Sequence, residues 1–259
     1  MAWKLLKDLI QFIPVGIPKD WKEIREIDPS KPVIVLVSGF GALPSSLRII
    51  RRRLIRDGFN VVLQSLSDEN VTESLQGLRA LAANLSQVIN DIRKIDGVRD
   101  QKIFVVAHSA GGLVARYYIQ KLDGVQKCNG LVTMATPHKG LWLASLGFMT
   151  HLIVRAKCLY DLLPISSFIK TLNGTEFPKA FEMISIYSNQ DLICPSKLSQ
   201  LPFNLYSSDS VNQIELSGIS HMEFLYKKKA YLFLKKWLKE QLSLSSELEA
   251  YSKTTVTNR

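Results

Sequence analysis

The stretch KIFVVAHSAGGLVARYYIQ, residues 102–120, changes character at its middle, and that change decides how the chain is read. Residues 102–106 carry Ile103, Phe104, Val105 and Val106 as an unbroken apolar run, the pattern of a strand buried on both faces. From Leu113 the pattern through Arg116, Tyr117 and Gln120 reads as a helix. Between them, Ala107-His108-Ser109-Ala110-Gly111-Gly112 must turn strand into helix within a few residues, and the small side chains at Ala107 and Gly111 let the chain pass close to itself. A turn of this kind raises Ser109 above the sheet edge. It also leaves Ser109 at a helix N-terminus, where the macrodipole and free amides favour developing negative charge.

Outward from this stretch the alternation repeats. Residues 33–37, introduced by Lys31-Pro32 and followed by Gly39 and Gly41, predict a second buried strand. Pro44-Ser45-Ser46 opens a helix carrying Leu47, Ile50 and Leu54 on one face, which stops near Asp57-Gly58. Residues 59–63 predict a strand, residues 72–95 a helix closed by Gly97, and residues 131–135, 183–187 and 213–216 three more strands before a last helix over 223–242. Strands that alternate with helices need crossover connections, so the fold class is α/β, with a mostly parallel central sheet and helices on both faces. Residues 137–165 break the rhythm with Leu141, Trp142, Leu143, Leu146, Phe148, Met149, Leu152, Ile153 and Val154. They read as an apolar cap over the end of the sheet or as a structural helix of the core, and periodicity does not choose between the two. The organisation is therefore a lead-in over 1–30, a main domain over 31–242 and a polar tail over 243–259 expected to fray.

Composition narrows the function classes. With 46% hydrophobic and 22% charged residues among 259, the chain is globular, which excludes disordered and fibrous classes. A formal charge of +10 favours anionic surfaces. The basic residues gather at Arg48, Arg51, Arg52, Arg53 and Arg56 and at Lys227, Lys228, Lys229, Lys235, Lys236 and Lys239. Both clusters fall in segments of helical spacing and read as solvated helix faces. Neither zinc-finger spacing nor an aromatic and basic single-strand signature is present, so no nucleic-acid partner is expected. Cys128, Cys158 and Cys194 are odd in number and widely spaced, which supports neither a disulfide framework nor a thiolate metal site and fits a cytoplasmic setting. Residues 3–13 place Lys4, Lys7, Asp8 and Gln11 opposite Trp3, Leu5, Leu6, Leu9 and Ile10. Such a helix lies on an anionic membrane surface or packs on the domain, and its pattern serves both.

A serine hydroxyl needs a base to take its proton and a carboxylate to hold that base in the right tautomer. Among His108, His138, His151 and His221, only His221 stands in a loop that returns over the carboxyl edge of the sheet, after the last strand. Asp191 follows the strand over 183–187 and is the candidate acid, with Asp161 and Asp209 as weaker rivals. The oxyanion donors are expected at the backbone amides of Ala110, next to the nucleophile, and Phe40, in the loop after the first strand.

These residues resemble the α/β-hydrolase superfamily, and within it the small lipase and esterase branch related to triacylglycerol lipases. The resemblance rests on Val35-Leu36-Val37-Ser38-Gly39-Phe40, on the turn at Ala107 to Gly112 with Leu113-Val114-Ala115-Arg116, on Ala135-Thr136-Pro137-His138-Lys139-Gly140, and on the late Asp191 and His221. The sequence departs from the family at Ala107, where the family pattern has glycine, and at Ser38, where the family often has histidine. The resemblance implies a structural His138 and hydrolysis of carboxylic esters on acyl chains, with no metal and no organic cofactor. The expected substrate is a lipid or other apolar ester. An acyltransferase or thioesterase would keep the same triad, because the acyl-enzyme step is shared. A non-catalytic membrane-surface adaptor would keep only the fold.

Overall fold

The structure is a computed structural model that describes residues 27–39, 44–64, 77–142, 156–179, 181–206 and 210–256. Six strands build one sheet: β1 (Val33–Val37), β2 (Asn60–Gln64), β3 (Ile103–His108), β4 (Gly130–Met134), β5 (Glu182–Ser188) and β6 (Val211–Leu216). Their order is β2-β1-β3-β4-β5-β6, and every pairing is parallel. The chain leaves β1 in one direction to make β2 and returns to the other side of β1 for β3. The crevice at that reversal, outside the carboxyl ends of β1 and β3, is where a doubly wound sheet can hold a site.

Both faces of the sheet are covered at its centre, which is why β1 is apolar at every position and β3 at every position before His108. Val33, Val35 and Val37 join one core with Ile103, Val105 and Ala107, while Ile34, Leu36, Phe104 and Val106 join a second core on the opposite face. The first face carries α2 (Leu78–Arg93), which buries Leu78, Leu81, Ala82, Leu85, Ile89 and Ile92, and α3 (Ala110–Lys121). The second carries α1 (Arg48–Arg56), through Ile50 and Leu54, and α6 (Lys228–Val256), through Ala230, Leu234 and Leu238. Each buried Leu or Ile contributes about 1.5–3 kcal/mol before chain entropy is counted.

Two short helices, α4 (Ala156–Asp161) and α5 (Ser167–Asn173), belong to the segment that interrupts the alternation. Its described parts bury Leu141, Cys158, Leu162 and Phe168 in the same core as α2 and α3; residues 143–155 lie outside the described residues. So do residues 1–26, including the amphipathic stretch 3–13. The last helix differs from the sequence expectation: it opens at Lys228 after a 3-10 turn over Met222–Leu225, and it runs through the polar stretch after Leu242 to Val256. That stretch has little to bury, but Glu247, Leu248, Glu249, Ala250 and Lys253 are good helix formers, and propagation costs far less than nucleation. Among the described residues no helix is long and apolar enough to cross a membrane.

Candidate active site

Ser109 sits between β3 and α3 with φ 54° and ψ −131°, a backbone conformation that side-chain-bearing residues avoid and that costs on the order of 1–3 kcal/mol. The neighbouring chain enforces it. A Cβ at Gly111 would stand 2.4 Å from the carbonyl oxygen of Ser38, so α3 can begin this close to β1 only with glycine there. Likewise a Cβ at Gly39 would stand 2.7 Å from the Cβ of Ser109. Ala107, buried in the core at the end of β3, accommodates its methyl where the family pattern has glycine. The Ser109 amide donates to the carbonyl of Met134 on β4, which ties the turn to the sheet at 2.9 Å.

The structure brings Ser109, His221 and Asp191 together from three separate connections. The Ser109 hydroxyl lies 3.0 Å from His221 Nε2, and His221 Nδ1 lies 2.8 Å from Asp191 Oδ2. The His221 and Asp191 side chains are 3% and 0% exposed, so the pair is shielded from water and little weakened by dielectric or salt. A carboxylate oxygen only accepts, so Nδ1 carries the proton toward Asp191 and Nε2 presents its lone pair to Ser109. Asp191 is itself fixed: its Oδ1 accepts the amides of Ile193 at 2.9 Å and Cys194 at 2.8 Å. Burial alone pushes the His221 imidazole down, but the Asp191 carboxylate against Nδ1 holds it well above the ordinary histidine range.

Two neighbours of the trio were not identified from sequence. His108 is buried, donates from Nε2 to the carbonyl of His221 at 3.0 Å, and lays its ring 4.7 Å from the His221 ring. Its Nδ1 is buried without a partner among the described residues, and burial with the nearby His221 pushes its pKa down to about 3. The buried Cys194 thiol stands near His221 and Ser109, and burial pushes it up, so it stays protonated. Only the Asp191 turn had a local signal, since an aspartate that binds amides two and three residues on is a familiar loop device.

The other candidates are placed elsewhere. His138 Nδ1 accepts from the fully buried Arg116 at 3.2 Å, and Nε2 meets Thr133 Oγ1 at 3.0 Å and Ser185 Oγ at 3.2 Å. Asn173 completes this knot by accepting from Arg116 and donating to the His138 carbonyl, which locks α5 against α3 behind the site. Asp161 accepts the Leu78 amide at 2.8 Å and caps α2. Phe40, His151 and Asp209 lie outside the described residues. Ala110 opens α3, so its amide has no acceptor within the helix and is available as a donor beside Ser109.

Residues 29–189 match the protein family described as "Putative serine esterase (DUF676)". The chain belongs to that family. It is a serine esterase, a carboxylic ester hydrolase of the α/β-hydrolase fold. The matched stretch contains Ser109, whereas Asp191 and His221 lie beyond it and are joined to Ser109 by the hydrogen-bond chain. Solved structures share the fold at low identity. A soluble variant of monoglyceride lipase from Saccharomyces cerevisiae, in complex with a substrate analogue, is 13% identical with a TM-score of 0.62, covering 82% of this chain and 87% of that one. Lipase BlEst2 from Bacillus licheniformis is 16% identical at TM-score 0.59, covering 85% and 96%. A structure from work on carboxylesterases of the ammonia-oxidizing thaumarchaeon Nitrososphaera gargenis is 14% identical at TM-score 0.62, covering 83% and 93%.

Proposed function

We propose that this serine esterase cleaves its ester with Ser109 as nucleophile, His221 as base and then acid, and Asp191 as the group that orients His221. The hydrogen-bond chain Ser109 Oγ to His221 Nε2 and His221 Nδ1 to Asp191 Oδ2 carries the reading. Ser109 Oγ attacks the ester carbonyl carbon while its proton passes to His221 Nε2. The tetrahedral oxyanion is held by the Ala110 amide, with the Phe40 amide as the second donor expected from sequence. As the C–O bond breaks, His221 returns the proton to the departing alkoxide, and an acyl-serine remains. Water then repeats the sequence, giving its proton to His221 and releasing the acid and Ser109.

The substrate we assign is a lipid or other apolar ester. This is supported by the hydrophobic composition of residues 137–165, a segment that follows β4 in the chain, and by the exposed Trp142. Two measurements test the assignment. Labelling with a fluorophosphonate, followed by mapping, should modify Ser109, and Ser109→Ala should abolish labelling and lower p-nitrophenyl ester turnover on the order of 10⁴-fold or more. The kcat/KM profile should fall on acidification through an apparent pKa above the ordinary histidine value, because His221 must be neutral to accept the proton. Asp191→Asn should move that limb down in pH and cost about 10⁴-fold in kcat. Unchanged turnover in either variant would overturn the triad, and equal rates on short polar and long apolar esters would overturn the substrate class.

A further inference from the structure

The two basic clusters that read as separate solvated helix faces form one surface. Helices α1 and α6 both lie on the second face of the sheet, and the end of α1 meets the start of α6. The Arg53 guanidinium lies 5.4 Å from the centre of the Tyr231 ring, Tyr231 donates to Asp57, and Lys235 Nζ donates to Asp57 Oδ1 at 2.8 Å. Asp57 is thereby used up in the seam. Outside the seam, Arg48, Arg52 and Arg56 repeat at four-residue intervals along α1, all exposed and, among the described residues, without an ion pair. From α6 project Lys228, Lys229, Lys236 and Lys239, of which Lys236 meets Glu240 only at 3.7 Å. Like charges at this spacing repel, so the isolated fold gains nothing from the arginine row.

Aliphatic side chains stand among these charges: Ile49 and Ile55 are each 44% exposed, and Leu232 is 51% exposed. Guanidinium groups fit phosphate and carboxylate oxygens, and aliphatic side chains of this size fit the acyl boundary of a bilayer. A single-stranded nucleic acid would instead ask for exposed aromatic rings on which bases stack, and the outward positions of α1 and the first four turns of α6 offer none. The surface also reaches the site. Lys227 Nζ and Lys229 Nζ bond the carbonyls of Gly218 and Ser217, in the loop that leads to His221, and α1 follows β1, beyond whose end Gly39 packs against Ser109.

We propose that the face formed by α1 and α6 docks on an anionic phospholipid bilayer and brings the rim of the esterase site to the lipid surface. The consequence for turnover rests on the serine esterase reading above, whereas the docking itself does not. The test is sedimentation of the full chain with phosphatidylcholine vesicles, with and without phosphatidylserine. Two combined variants are compared: Arg48→Gln with Arg52→Gln and Arg56→Gln, and Lys228→Gln with Lys236→Gln and Lys239→Gln. Each should weaken binding to the phosphatidylserine vesicles on the order of 100-fold while p-nitrophenyl butyrate hydrolysis stays at the wild-type rate. Ile49→Ser with Ile55→Ser should keep the salt dependence of binding and lose several-fold in affinity. Ser109→Ala should bind vesicles as wild type does, so a failed mechanism and a failed docking face are told apart. Wild-type binding without preference for phosphatidylserine, undiminished binding by both charge variants, or tighter binding to an RNA homopolymer than to vesicles would each overturn the proposal.

Discussion

Replacing His108 with Gln removes a buried proton-binding group beside the site and leaves an amide that can still donate to the carbonyl of His221. The wild-type imidazole titrates near 3 in the folded protein, pushed down by burial and by the neighbouring His221, against about 6.5 in an unfolded chain. The unfolded state therefore binds more protons, and stability falls as pH drops below 6.5 and continues to fall until about 3. Between pH 7 and pH 4.5 the unfolded chain takes up a proton at this residue that the folded protein refuses, a difference of about 2 pH units below the unfolded pKa. At about 1.4 kcal/mol per unit this is a loss of about 2.5 kcal/mol. Urea unfolding at both pH values should show His108→Gln losing less stability on acidification than wild type, by about that amount. His221, whose pKa is raised, has the opposite sign: its contribution is present at low pH and lost as pH rises through its folded value, and it is common to both proteins. His108→Leu should match His108→Gln in its pH slope but lose activity, because only the Gln side chain restores the hydrogen bond to His221. If all three proteins lost the same stability between pH 7 and pH 4.5, the neutral, buried His108 described here would be wrong.

Gly39→Ala places a methyl 2.7 Å from the Ser109 Cβ and 3.3 Å from the His108 carbonyl oxygen, so backbone must move beside the nucleophile. Thermal unfolding should report a cost of about 1–3 kcal/mol, and kcat should fall about 100-fold; wild-type turnover would mean that the close approach has no bearing on Ser109. Asp161→Ala removes the acceptor for the Leu78 amide at the start of α2 and should cost about 1–2 kcal/mol in urea unfolding. Its kcat/KM on a soluble ester should stay at the wild-type value, and a collapse of turnover without loss of stability would return Asp161 to the list of candidate acids.

The strands were legible because parallel strands buried on both faces leave a continuous apolar run, as in Val33–Val37, with boundaries off by no more than two residues. Ser109 was legible because the turn that raises it needs small residues at set offsets, and Asp191 and His221 because each follows a strand on the carboxyl edge. What stayed hidden was the set of contacts between distant parts of the chain. Nothing near Arg116 announces that its guanidinium will be buried against His138 and Asn173 with no carboxylate among the described residues, and nothing near His108 announces the carbonyl of His221. The reach of α6 to Val256 was missed because the polar sequence after Leu242 leaves no apolar stripe to read.

Three histidines near one edge of the sheet show how a single side-chain chemistry is divided by its neighbours. Burial pushes His108, His138 and His221 down alike. For His138 the guanidinium of Arg116 pushes the same way as burial, so the ring stays neutral, with Nδ1 accepting from Arg116 on α3 and Nε2 left to donate to Thr133 Oγ1 on β4. For His108 the titratable neighbour is another imidazole, and among the described residues its one side-chain bond is to a carbonyl. His221 alone faces a carboxylate, and that contact reverses the effect of burial. The base we propose is therefore selected by where Asp191 stands, and Asp191 stands there because the amides of Ile193 and Cys194 hold its other oxygen. It follows that residues 191–194 set the proton affinity of the site: a change in that turn that frees Oδ1 should shift the acidic limb of kcat/KM before it changes the fold.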